Sequence, residues 1–289
     1  MRLLGLSDLH VGHATNRDAI EALPGSPEDW LILGGDLCES AEALVWVLDT
    51  LGPRFARLVW VPGNHELWTT RSDREAGRRG ATKYRHLVDL CRERGVLTPE
   101  DPYARWPGPG PERWICPLFL LYDYTFSPDG HTPEQAIAWA REDGIVCADE
   151  RLLEPHPFAS RQSWCAHRVA VTKRRLSEEL PAGARTVLIN HWPLRRDLVR
   201  LFRIPRFSPW CGTRLTEDWH TRFGAELVVS WHLHMRATDW RDGVRFEEIS
   251  LGYPRHWSQD KGAPSYVREV LGPSTLPAPA SDAGPIWHR

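Results

Sequence analysis

Aspartate, asparagine and histidine recur along this chain in five short clusters: Asp8-Leu9-His10, Gly35-Asp36, Gly63-Asn64-His65-Glu66, Asn190-His191 and His232-Leu233-His234. Carboxylate, amide and imidazole donors without a thiolate suit hard-to-borderline divalent cations better than soft ones. Each cluster follows an apolar run of strand type, at residues 3–6, 31–33, 58–61, 187–189 and 227–229. Donors at the ends of successive strands converge on one edge of a sheet, where open α/β folds bind their ligands. Together they are what a pair of metal ions needs. A lone Asp-x-His or His-x-His is a common tripeptide. Gly-Asn-His-Glu after an apolar strand is the most specific piece, and the weight lies in all five occurring in order.

Apolar periodicity and turn residues indicate the elements that position these donors. In the first third, short strands alternate with helical stretches at residues 19–23 and 40–51, the second with Ser40 as N-cap and Gly52-Pro53 as stop. This βαβαβ rhythm predicts parallel strands with crossover helices. The charged stretch 71–79 reads as solvated loop, 81–94 as a helix ended by Gly95, and the proline- and glycine-rich 99–111 as irregular. Residues 113–121 read as a buried strand, 133–142 and 161–180 as helices, and 186–189, 225–229 and 244–251 as further strands. A basic, aromatic insertion at 194–219 reads as a partial lid. One domain is expected over residues 1–270, followed by a Pro/Ala-rich tail, 271–289, predicted to be disordered.

A chain of 289 residues can bury one large core. Its formal charge of -2 offers no electrostatic footprint for nucleic acid or an anionic membrane. No apolar stretch is long enough to span a bilayer, and no signal-peptide pattern opens the sequence. The six cysteines are scattered without a CxxC pair, which favours reduced thiols over a disulfide framework. A cytoplasmic protein is expected. Most of the fifteen tryptophans read as core packing.

The order and spacing of the five clusters resembles the calcineurin-like metallophosphoesterases. The resemblance implies an α/β fold, a four-layer αββα sandwich of two mainly parallel or mixed sheets flanked by helices. It implies phosphoester hydrolysis by two divalent ions about 3.5–4 Å apart, with a bridging hydroxide as nucleophile. Carried over residue by residue, Asp36 is the bridging ligand. Asp8, His10 and His234 complete the first site; Asn64, His191 and His232 complete the second. His65 would face the phosphate as a proton donor or charge neutraliser, and counts with Asn64 and Asp36 as catalytic. Glu66 would orient a neighbouring imidazole. Manganese or iron, with zinc as an alternative, suit these donors better than magnesium or calcium. One position departs from the pattern: Trp231 stands where the family's Gly-His-x-His motif has glycine. The indole either packs outside the site or narrows it.

Residues 29–32, 60–68, 119–124, 210–213, 218–222 and 242–253 also resemble the actinobacterial phosphopantetheinyl hydrolases, which remove 4′-phosphopantetheine from acyl carrier proteins. That likeness implies an acyl carrier protein as substrate. Arg195, Arg196, Arg200, Arg203, Arg206 and Arg214 of the insertion would then steer an acidic partner. Trp231, Tyr124, Arg206 and Trp210 are candidate substrate contacts, and Tyr253 could line a channel for the pantetheine arm. Two other functions stay open on the same motifs. One is a small-molecule or nucleotide phosphatase or phosphodiesterase, favoured if Trp231 narrows the opening; the other is a non-catalytic binding module.

Overall fold

The computed structural model describes residues 1–273, 275 and 279–288. The chain begins β1 (Leu3–Leu6), α1 (Ala14–Glu21), β2 (Ser26–Leu33), α2 (Ala41–Leu51), β3 (Phe55–Trp60). The three strands pair in parallel, Leu3 opposite Trp30 and Leu31 opposite Leu58, as the βαβαβ rhythm predicts. Ser40 caps α2, its hydroxyl accepting from the Ala43 amide at 3.2 Å. The first helix starts five residues before its predicted position. Polar Asn16 is buried there, its side-chain amide donating to the Leu9 and Gly252 carbonyls, an anchor that hydropathy does not show.

Next come α3 (Asn64–Leu67), α4 (Arg71–Glu75) and α5 (Ala81–Arg92). The stretch expected to be solvated loop therefore contains a helical turn. Thr70 and Asp73 exchange capping hydrogen bonds of 3.2 and 3.0 Å, and buried Asp73 pairs with Lys83 Nζ at 2.7 Å. The chain continues through β4 (Ala104–Arg105), β5 (Trp114–Pro117), α6 (Pro133–Glu142), α7 (Asp149–Leu152) and α8 (Arg161–Glu179). It ends with β6 (Thr186–Ile189), α9 (Trp219–Arg222), β7 (Ala225–Ser230), β8 (Ala237–Arg241), β9 (Val244–Glu248), β10 (Arg268–Leu271) and β11 (Ile286–Trp287). The predicted strand at 113–121 stops at Pro117, beyond which the Leu120 amide turns to the Asn190 side chain at 3.0 Å.

One sheet has the order β10-β1-β2-β3 and the other β11-β8-β9-β7-β6-β5-β4. In the larger sheet β5, β6, β7 and β9 run parallel, with antiparallel β4, β8 and β11 toward the edges. Alternation along each strand builds the layers. Leu3, Trp30, Ile32 and Val59 meet Ile115, Val187, Ile189, Leu227 and Val229 between the sheets. Their neighbours Leu4, Leu31, Leu58, Leu188 and Val228 join the core that includes Leu44 and Leu48 of α2, Leu87 of α5 and Trp164 of α8. This is the expected αββα sandwich, with every parallel strand covered on both faces.

Two expectations need correction. The insertion at 194–219 is pinned down by its own arginines. Arg200 meets Asp239 at 2.8 Å, Arg206 meets Glu142 at 2.5 Å and Asp143 at 2.9 Å, Arg214 meets Asp129 at 2.7 Å, and Arg195 meets Asp197 at 2.9 Å. Arg196 donates to the Phe126 carbonyl at 2.9 Å. These carboxylates cancel most of the basic surface, and local charge counting misses those from distant segments. The tail predicted to be disordered also returns to the fold in part. Ile286 and Trp287 pair with Thr238 and Ala237 on β8, whose open edge offers unpaired backbone groups. Residues 274, 276–278 and 289, also covered by that expectation, lie outside the described residues. Among the described residues no helix is long and apolar enough to cross a membrane, and all six cysteines are buried and free.

Candidate metal centre

The loops leaving β1, β2, β3, β6 and β7 bring the five clusters to one edge of the sandwich. Backbone bonds tie the first two loops together: Asp8 N to Gly35 O at 3.0 Å and His10 N to Asp36 O at 3.1 Å. The Gly35 and Gly63 turns interlock so closely that neither position admits a side chain. A Cβ on Gly63 would lie 2.2 Å from Asp36 Oδ1, and one on Gly35 would lie 2.3 Å from Gly63 N. Asp8, His10, Asp36, His232 and His234 all adopt left-handed backbone, with φ of 52, 42, 51, 76 and 53°.

Donor atoms from these loops assemble into three overlapping groups: Asp8, His10 and His234; His10, Asp36 and His65; Asp36, His191 and His232. Within each group they lie within 4.8 Å of one another, and His10 and Asp36 each join two of the groups; of the two, only the carboxylate has two oxygens with which to serve two ions. Asn64 enters from the start of α3. Buried His10 Nε2, His232 Nε2 and Asn64 Oδ1 have no hydrogen-bond partner among the described residues. A buried polar atom left so costs about 1–3 kcal/mol, which a bound cation would relieve. His191 Nδ1 lies 2.8 Å from the Gly34 carbonyl, so that nitrogen carries the proton and Nε2 keeps its lone pair. That Nε2 lies 3.2 Å from His232 Nδ1 and 3.6 Å from Asp36 Oδ2. Two carboxylates, four imidazoles and an amide oxygen fit a pair of borderline divalent ions.

Electrostatics favour the ligand forms of His10 and His232 but not those of Asp36 and His234, whose proton-bound forms are favoured. Burial, helped by the charge of His65, holds His10 down at about 2, and burial holds His232 well below the usual histidine range. Both stay neutral, as metal binding requires. Burial pushes Asp36 up to about 6 despite the attraction of His65 and His191. His65 behaves differently: burial opposes its charge, but the Asp36 and Glu39 carboxylates outweigh burial and hold it up at about 9. Its Nε2 lies 3.8 Å from Asp36 Oδ2 and its Nδ1 lies 3.4 Å from Glu39, with Trp68 packed on the ring at 3.7 Å between centroids.

Three neighbours of the centre were not identified from sequence as part of it. Asp149, fully buried, accepts from Asn64 Nδ2 at 3.0 Å and Trp68 Nε1 at 2.6 Å, and so turns Asn64 Oδ1 toward the other donors. His256 Nδ1 lies 2.9 Å from His234 Nδ1, opposite the His234 Nε2 that meets Asp8 at 3.0 Å. Tyr253 stacks on His10 with centroids 4.2 Å apart and places its hydroxyl 3.5 Å from His65 Nε2. Glu66 does not orient an imidazole. Its carboxylate accepts from the amides of Asp36, Leu37 and Gly63 at 2.8, 2.6 and 2.9 Å and so clamps two ligand loops together.

The four candidate substrate contacts lie elsewhere. Trp231 is fully buried between the sheets, over Gly34, where a Cβ would come within 2.2 Å of the indole. It neither lines nor narrows the opening. Tyr124 and Trp210 both donate to Glu150 Oε1 at 2.7 Å and brace the insertion from beneath. Arg206 is fastened to α6 through Glu142 and the Trp139 carbonyl. Aromatic and cationic side chains serve braces and pocket walls alike, so residue type alone does not separate the two. From the insertion it is Phe207 that approaches the centre, 5.9 Å from His232 between rings.

A family model for calcineurin-like phosphoesterases matches residues 1–236. Over 285 residues the chain is 47% identical to the [acyl-carrier-protein] phosphodiesterase PptH of Mycobacterium tuberculosis, covering 98% of this chain and 87% of that protein. The crystal structure of phosphopantetheinyl hydrolase from the same organism is similar with a TM-score of 0.88 at 46% identity, over 96% of this chain and 98% of that one. Fold, cluster order and sequence likeness agree, and the chain belongs to the calcineurin-like phosphoesterase family.

Proposed function

We propose that this phosphoesterase releases 4′-phosphopantetheine from acyl carrier protein. The observation that carries this is likeness at 47% identity across 98% of the chain to an acyl-carrier-protein phosphodiesterase, extending well beyond the metal clusters. The bond to be cut joins phosphorus to the serine oxygen of the carrier. Water adds at phosphorus, the P–O(serine) bond breaks, the serine oxygen takes up a proton, and the arm leaves as a phosphomonoester.

Asp8, His10, Asp36 and His234 would hold one divalent ion; Asp36, Asn64, His191 and His232 would hold the other. Manganese or iron fit best, with zinc as an alternative. Such a pair supplies a nucleophile from water near neutral pH and offsets charge on the phosphoryl oxygens. Asp36, clamped through its own amide by Glu66, keeps its shared position. His65, whose charged form Asp36 and Glu39 favour, would present a ring proton for the departing serine oxygen. The six buried free thiols fit a reducing, cytoplasmic compartment.

A small-ester preference was motivated by Trp231, and the burial of its indole removes that motive. The convergence of metal-donor groups argues against a purely binding role. The test is mass spectrometry of holo carrier protein incubated with enzyme and Mn²⁺. Metal-dependent loss of the prosthetic group is expected. Intact holo carrier beside rapid hydrolysis of bis-p-nitrophenyl phosphate would overturn the substrate and keep the reaction class.

A further inference from the structure

A cleft of about 380 Å³ adjoins the metal centre, lined by Gly12, His13, Glu39, Ser40, Ala43 and Tyr253 together with the candidate ligand His10. Pockets that hold organic ligands run from about 300 to 1,000 Å³, so this cleft suits one extended chain and is far too small for a protein. Its walls are mixed. Glu39 and Ser40 offer oxygen acceptors, and His13 is exposed at the rim. Gly12, Ala43 and the Tyr253 ring offer short apolar surface. An arm built from amide units and short methylene spacers matches that alternation.

The cleft is also preformed. The loop carrying Tyr253 is tied to the loop after β1 by Leu251 N to Ser7 O at 3.0 Å and Gly252 N to Asp8 O at 3.1 Å. The Tyr253 ring lies nearly parallel to His10, at 13°, with His13 edge-on at 5.6 Å. Its hydroxyl faces His65 at 3.5 Å, at the junction between cleft and metal centre. A larger cavity, about 560 Å³ and lined by Met1, Trp106, Arg113 and Glu226, lies at the other end of the strands, before β1 and at the start of β7. A group bound there could not reach the donors.

We infer that the cleft walled by Gly12, His13, Glu39, Ser40 and Tyr253 is the subsite for the phosphopantetheine arm, with the carrier protein remaining outside it. This rests on the substrate reading above and adds to it a place for the leaving product. Gly12 is the point of attack. A Cβ there meets nothing within 4 Å and the position needs no left-handed backbone, so Gly12→Trp adds bulk to the cleft wall without distorting the loop.

The experiment measures inhibition of bis-p-nitrophenyl phosphate hydrolysis by free 4′-phosphopantetheine, together with release from holo carrier protein. Metal content and thermal melting of each variant are checked alongside. Steric misfit in a pocket is worth about 10- to 200-fold, so Gly12→Trp is expected to raise the inhibition constant within that range. It should also lower kcat/KM on the carrier far more than on the small diester. His13→Ala, at an exposed rim position, is expected to weaken inhibition in the same direction. An inhibition constant unchanged in both variants overturns the arm subsite and leaves the carrier reading standing. Inhibition that the variants weaken, from an enzyme that spares holo carrier, overturns the carrier reading and leaves the subsite. Equal losses on both substrates would assign Gly12 to the metal centre and overturn the proposal.

Discussion

Replacing Asp149 by alanine should weaken one metal site and spare the other. The carboxylate touches no candidate ligand except Asn64, whose Nδ2 it accepts at 3.0 Å, and it also takes the Trp68 indole proton at 2.6 Å. Without it the Asn64 amide can flip and present nitrogen where oxygen is required. Loss of a partner that orients a metal ligand costs about 10- to 100-fold in affinity, or roughly 1.4–2.8 kcal/mol. That loss should fall on the site of Asn64, His191 and His232, because Asp8, His10 and His234 are untouched. Thermal stability is a poor readout. Two hydrogen bonds to a charged acceptor, about 1.5–3 kcal/mol each, are lost. Against that, a buried carboxylate whose Oδ2 has no partner among the described residues is removed, which returns several kcal/mol of desolvation. The assay is a Mn²⁺ titration against a competing chelator, where two sites give two steps. Asp149→Ala should shift one step to weaker binding, and Asp149→Asn, whose amide oxygen still accepts from Asn64, should shift it less. Equal weakening of both steps, or no shift in either, would refute the orienting role.

Asp36→Asn should empty both sites, because the shared position needs a full carboxylate; elemental analysis showing two metals per chain would remove Asp36 from the bridge. His65→Ala should keep both metals but slow turnover by about 10²–10⁴-fold, the range for a positioned proton donor, and an unchanged kcat would exclude it. Trp231→Ala leaves a void between the sheets, so it should destabilise the fold by about 3–5 kcal/mol in a denaturant titration, with no gain on bulky substrates. A faster reaction on large esters would return the indole to the pocket.

The metal donors are readable from sequence because each sits within a few residues of the strand that aims it. Leu3–Leu6 and Asp8 share one short window, as do Ala225–Ser230 and His232. The partners that tune those donors come from far away. Asp149 lies 85 residues from Asn64, in a segment with no distinguishing pattern. Tyr253 lies 188 residues from His65, in a stretch whose resemblance suggests a substrate channel but no contact with the metal donors. The arginines of the insertion misled for the same reason: Arg200 finds Asp239 and Arg214 finds Asp129 only once the chain has folded. Thr70-x-x-Asp73 is a different kind of miss. Its capping signal stood in the sequence, hidden within a run of charges.

The left-handed backbone at five candidate ligands connects the fold to the chemistry. Such a conformation costs a non-glycine residue about 1 kcal/mol or more, so the five together represent roughly 5 kcal/mol, comparable with the net stability of a whole domain. Aspartate and histidine tolerate the region better than branched residues, so the types that bind metal are also the types that bear the strain. The loops are then held by groups with no metal role: Glu66 on three amides, and the Asp8 and His10 amides on the second loop. A centre held this way does not need the cations to shape it. Glu66→Ala should expose the difference. It frees the Asp36, Leu37 and Gly63 amides at once while leaving every candidate ligand in place. If the clamp holds the strained loops, the variant should bind both metals more weakly and lose stability in the presence of chelator, where metal cannot be the cause. Wild-type melting in chelator would mean the loops keep their shape without Glu66, and the strain would have to be carried by the glycine interlock at Gly35 and Gly63 alone.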